Sequence, residues 1–188
     1  ILAFEFATSY EELKETLDPL SPDQLDGLDM VNYIDFGYMI AYSLFLFCVF
    51  WVTRNMSGQR YLLIGMVLSG VALFADAFEN FQLLNITSLY RADTDAESYN
   101  SVLSNLFIFT WLKWGALAIA MEMLIPVLVR RGIFSKIIAG VLALAPLMLI
   151  GVIISPTRFM MDKFGLAVIF GFIALSIYVI AYRKPIAQ

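Results

Sequence analysis

The chain has 188 residues, 61% apolar and 15% charged, with a mean hydropathy of +0.80. A soluble domain carries roughly 25% charged residues, so the composition points to a membrane protein, and a pI near 4.7 with scattered basic residues argues against a nucleic-acid surface. His is absent and Cys48 is the sole cysteine, which excludes His-ligated haem, His-based zinc, His general bases, an internal disulfide and a cysteine metal cluster.

Residues 1–35 read as an extracytoplasmic amphipathic segment, and 36–188 as the transmembrane bundle. The opening Ile1-Leu2-Ala3-Phe4 has the character of the end of an apolar helix and predicts a sixth span ahead of the five visible ones. Ser9 with Glu12, and Ser21-Pro22 with Gln24, are capping patterns that predict two short helices. Leu13, Leu17, Leu20, Leu25 and Leu28 give these helices an apolar side. Glu5, Glu11, Glu12, Glu15, Asp18, Asp23, Asp26 and Asp29 give an acidic side for the outer interface, as a solvated face or a dock for a basic partner.

Five apolar stretches are long enough to span a bilayer, which takes about 20 residues each. They are Phe36–Thr53, Tyr61 to Leu84, Val102 to Val129, Ile137 to Ile154, and Leu166–Tyr182. Cys48, in the first, is expected as a buried structural thiol. Small residues in the later spans, among them Gly65, Gly70, Gly115, Gly140 and Gly171, predict close helix approach. Trp51, Tyr61, Tyr90 and Tyr182 sit where interfacial aromatic anchors are expected. Arg54, Arg60, Arg130, Arg131, Lys136, Arg183 and Lys184 mark one side of the membrane without an intervening acid. By the positive-inside rule the C-terminus is cytoplasmic and residues 1–35 are outside.

Ionisable groups inside these spans are the candidates for function, because each is costly there. Counting inward at about 1.5 Å per residue, Lys113 lies about 25 Å from Arg130, Asp76 about 22 Å from Tyr61, and Tyr38 about 24 Å from Arg54. Glu79 and Asp35 fall close to the same depth. Asp76, Glu79 and Asn80 share one helix face, as do Asp35, Tyr38 and Tyr42. The expected arrangement is a buried polar layer of Asp35, Tyr38, Asp76, Glu79, Asn80 and Lys113, with Lys113 between carboxylates and Trp111 and Trp114 beside it. Two acids on one lysine leave a negative surplus that a proton or cation removes. Such a layer fixes helix register, binds a proton, ion or small ligand, or serves as an acid/base pair with a lysine electrophile. Glu122, on the opposite face of its helix, is expected either to bond a hydroxyl near Ser69 and Ser176 or to form a step in a proton path.

The pattern resembles a widespread group of uncharacterised bacterial multi-pass membrane proteins. The likeness rests on Glu5-Phe6-Ala7 at the end of an apolar helix, Asp35 with Tyr38, the D-x-x-E-N element Asp76-Ala77-Phe78-Glu79-Asn80, and Lys113 in the following span. It covers residues 1 to about 125. It implies a preceding helix and a bacterial inner membrane, and no assigned activity.

The functional expectation is a non-enzymatic ion or small-ligand binder, or an accessory subunit of a larger assembly. The alternative is an enzyme acting on a lipid or isoprenoid at the outer leaflet. The expected partners are the lipid bilayer, other membrane subunits or a lipid-like ligand, with no nucleic acid, cofactor or metal.

Overall fold

The computed structural model describes residues 2–181, and these are helical throughout apart from short connections. Tyr182, Arg183 and Lys184, read above as the end of the last span and its basic tail, lie outside them. Helix α1 is Leu2–Glu5, α2 Tyr10–Leu17, α3 Pro22–Ser57, α4 Leu62–Arg91 and α5 Asn100–Leu128. They are followed by α6 Ile133–Leu142, α7 Leu144–Ile154 and α8 Arg158–Ala181, and a 3-10 turn at Ala96–Tyr99 leads into α5. Five segments are long and apolar enough to cross a membrane: α3, α4, the 3-10 turn with α5, α6 with α7, and α8.

Both capping patterns form. The Glu12 amide donates to Ser9 Oγ at 3.2 Å, and the Glu12 carboxylate accepts from the Thr8 amide at 2.7 Å. At the second, the Gln24 amide donates to Ser21 Oγ and the Ser21 amide donates back to Gln24 Oε1 at 2.8 Å. The helix begun at Pro22 is not short, however. No proline interrupts it after the first turn, so it runs unbroken through residue 35 to Ser57.

The chain divides into two contact units. The first comprises Ile1–Phe45 and Gly70–Trp114, the second Leu46–Ser69 and Gly115–Gln188. In the first unit, Phe4, Leu13, Leu17, Leu83, Ile86, Tyr99 and Leu106 close a core that ties α1 and α2 to α4 and α5. The C-terminal end of α4 is held to α3 by Arg91, which donates to Asp29 at 2.6 Å and Asp26 at 2.9 Å, and by the Thr87 hydroxyl, which donates to Asp29. Tyr90, expected as a membrane anchor, donates its hydroxyl to Asp18.

In the second unit, Phe50 lies so close over Gly65 that a Cβ there would overlap its ring, and Met121 fills the corresponding space at Gly171. Gly70, Gly115 and Gly140 have open space instead, so they are not close-approach points. The span predicted as one helix over 137–154 breaks at Ala143. Pro146 has no N–H to donate to the Leu142 carbonyl, which interrupts the helical ladder there. Arg131 donates to the Tyr178 hydroxyl at 3.1 Å.

Candidate functional site

Helix α4 places Asp76, Glu79 and Asn80 on its buried face, and α5 places Thr110, Lys113 and Trp114 on its own, each set at three- and four-residue spacing. Lys113 is the centre. Its ammonium donates to Glu5 Oε2 at 3.3 Å, lies 3.2 Å from Asp76 Oδ1, and is ion-paired with Glu79 Oε2. Lys113 is 7% exposed and Glu79 fully buried. The expected lysine–carboxylate layer therefore exists, with three carboxylates on one ammonium.

Each carboxylate also has a neutral donor. The Tyr42 hydroxyl donates to Asp76 Oδ2 at 2.6 Å, the Thr110 hydroxyl to Glu79 Oε1 at 3.0 Å, and the Trp114 indole to Glu5 Oε2 at 3.3 Å. Further along the layer, Asn80 donates its amide to Asp35 Oδ2 at 2.8 Å. The Lys113 ammonium sits 5.1 Å from the Trp114 ring centre, within cation–π range. The fully ionised set of Glu5, Asp76, Glu79 and Lys113 carries a net charge of −2, and Asp35 adds to the excess.

Several positions differ from expectation. Glu5, assigned above to the acidic outer face, is buried and pairs with Lys113. The reason is local: Phe4 and Ala7 are buried beside it, and Phe6 packs on Trp111 and Trp114 at ring distances of 5.9 Å and 6.3 Å. An acid embedded in Leu2-Ala3-Phe4-Glu5-Phe6-Ala7 was the available signal, the same one that singles out Lys113. Tyr38 does not reach the layer. It is 57% exposed and touches only the edge of Tyr42, because the buried face of α3 runs through Met39, Tyr42 and Leu46. Tyr42 takes its place.

Glu122 lies in the second unit, exposed on the outward face of α5. The Ser69 hydroxyl donates to the Gly65 carbonyl at 2.9 Å rather than to it. Cys48, expected to be buried, is exposed, since it stands off the α3 face that carries Leu46 and Phe50. Thr110 had no sequence signal, being one hydroxyl in an apolar run.

Separate from the acid–lysine layer, an open groove of about 550 Å³ lies in the first unit. Thr8, Ser9, Tyr10, Glu11, Glu97 and Phe107 are among the residues that line it, and no member of the layer does. Comparison with protein-family profiles, curated proteins and solved structures finds no match to this chain.

Proposed function

We propose that the chain is a non-enzymatic integral membrane protein that binds a proton in its buried acid–lysine layer. The observation that carries this reading is the charge imbalance: three carboxylates meet one ammonium within apolar, span-length helices. An unpaired charge in such surroundings is expensive, and carboxyl groups there neutralise by taking up a proton. Lys113 already occupies the point between the carboxylates where a bound cation would sit, which favours a proton over a metal ion.

In the same reading the loops with Arg54, Arg60, Arg130 and Arg131 face the cytoplasm of a bacterial inner membrane, and residues 1–35 face outward. Kinship with the bacterial D-x-x-E-N group is part of the proposal. It is supported by the meeting of Glu5, Asp76, Glu79 and Lys113, four of the residues that carry the likeness, at one point in the fold.

The test is a proton count on the purified full chain in lipid nanodiscs, by pH-difference infrared spectroscopy of its carboxyl groups. A reversible buried-carboxyl step while the helices stay folded supports the reading. If no buried carboxyl changes protonation over the whole folded range, the proton-binding reading is wrong. The layer is then a register device, as the accessory-subunit alternative requires, and stoichiometric partner proteins should co-purify.

A further inference from the structure

Resting on the proton-binding reading, the seam between α3 and α4 offers a route into the layer. Its contacts fall in antiparallel register. At the C-terminal end of α4, Arg91 and Thr87 donate to Asp29. Further in, Asn80 donates to Asp35, and at the layer the Tyr42 hydroxyl donates to Asp76. Asp29, Asn32 and Asp35 stand three residues apart on α3 and so share a face. Asn32, between the two acids, is 3% exposed, and its side-chain nitrogen has no hydrogen-bond partner among the described residues.

That amide is out of place as packing. On α4 the interval between Asn80 and Thr87 holds Leu83 and Leu84, and Leu83 is buried. An apolar side chain at position 32 would suit such a stretch, whereas a buried donor left unpaired costs free energy. Buried amides in folded proteins are paired, with protein groups or with ordered water. The spacing fits a water link. Asp29 and Asp35 are about 9 Å apart along the helix axis, too far for one hydrogen bond and bridged in two steps by a polar group halfway.

We propose that the α3–α4 seam is the proton's route between the exposed cluster at Arg91 and the acid–lysine layer, with Asn32 as the positioning residue that holds water in its middle. The mouth is Asp26 and Asp29 with Arg91, the Asp26 side chain being 75% exposed and that of Asp29 18%. From there the polar groups continue through Asn32 to Asp35 and Asn80, and Asp76 follows one turn further along α4. The charged groups facing the seam are Asp26, Asp29 and Asp35 from α3 and Arg91 and Asp76 from α4, with Lys113 beyond them on α5. Asn32 carries no proton itself. Its amide offers water both donors and an acceptor, so a proton entering at the mouth passes along the water chain, and one released by the layer leaves the same way.

The experiment is a pH-jump infrared measurement on the full chain in lipid nanodiscs, following the midpoint and the rate of the buried-carboxyl step in wild type, Asn32→Leu and Asn32→Ser. Asn32→Leu should keep the midpoint and take up its proton about tenfold more slowly, the size expected when one hydrogen-bonded link is lost. Asn32→Ser keeps a group that binds water and should stay near the wild-type rate. If Asn32→Leu fails to fold by circular dichroism, Asn32→Val takes its place with the same expectation, and failure of both marks Asn32 as a structural contact and overturns the route. A wild-type rate in the apolar variant also overturns it while leaving proton binding intact, since the proton then enters by another face. So does a shifted midpoint in the apolar variant, or equal slowing in Asn32→Ser, because Asn32 then acts through the structure of the layer and not on passage. A wild type with no step at all overturns proton binding itself.

Discussion

Among the described residues the ammonium of Lys113 is the only positive charge at Glu5, Asp76 and Glu79, so its removal exposes all three to mutual repulsion. Breaking a buried ion pair by deleting one partner costs about 3–5 kcal/mol. Lys113→Met should lose stability on that scale in detergent unfolding, and the folded remainder should bind extra protons at neutral pH. A wild-type midpoint and proton count in Lys113→Met would show that the lysine is not the centre of the layer. The two tyrosines of α3 offer a sharper contrast. Tyr42→Phe removes a hydrogen bond to a buried carboxylate and should cost about 1.5–3 kcal/mol. Tyr38→Phe, on an exposed ring, should stay within about 0.5 kcal/mol. Equal effects at the two positions would contradict the buried face assigned to α3.

Among the elements, α4 depends on a side chain that is missing. Phe50 occupies the space beside Gly65, so Gly65→Ala must push the ring aside and should cost about 1–3 kcal/mol through overpacking. Phe50→Leu in the same chain should recover part of that loss, and a purely additive double variant would argue against the contact. The short helix α2 rests on its cap. Ser9→Ala removes the acceptor for the Glu12 amide and should lower stability by about 1 kcal/mol. The turn before α5 responds to pH. Hydrogen bonds from the Ser98 hydroxyl and amide hold the Asp95 carboxyl below its usual range. A depressed carboxyl contributes its stabilisation above the unfolded value and loses it as pH falls through the folded one. Corrected for the intrinsic pH dependence of exchange, amide protection over Ala96–Tyr99 should therefore drop in acid, and Asp95→Asn should blunt that drop.

For the whole molecule, the testable property is sidedness. Cysteines introduced in the 58–60 and 130–132 connections, in a Cys48→Ala background, should react with an impermeant reagent from the cytoplasmic face. A cysteine at 93–95 should react from the opposite one. The background change removes the sole native thiol, Cys48. Labelling of both groups from one side would rule out an odd number of spans between them.

How much of this was legible in the chain differs by kind of information. Span number and approximate extent follow from length and hydropathy, which are local, and the two helix starts follow from capping residues whose partners lie within three or four positions. The burial of Asp76, Glu79 and Lys113 was legible because a charge inside an apolar run has few tolerable surroundings other than a partner. Which side of a span faces inward was not. Lipid and protein interior are both apolar, so periodicity groups Tyr38 with Tyr42 without telling which of them is buried, and it leaves Glu122 and Cys48 undecided. The tertiary structure made those choices. It also brought Glu5 across more than a hundred positions of sequence to Lys113, because the apolar residues around Glu5 must be buried somewhere and the α5 face at Trp111 and Trp114 receives them.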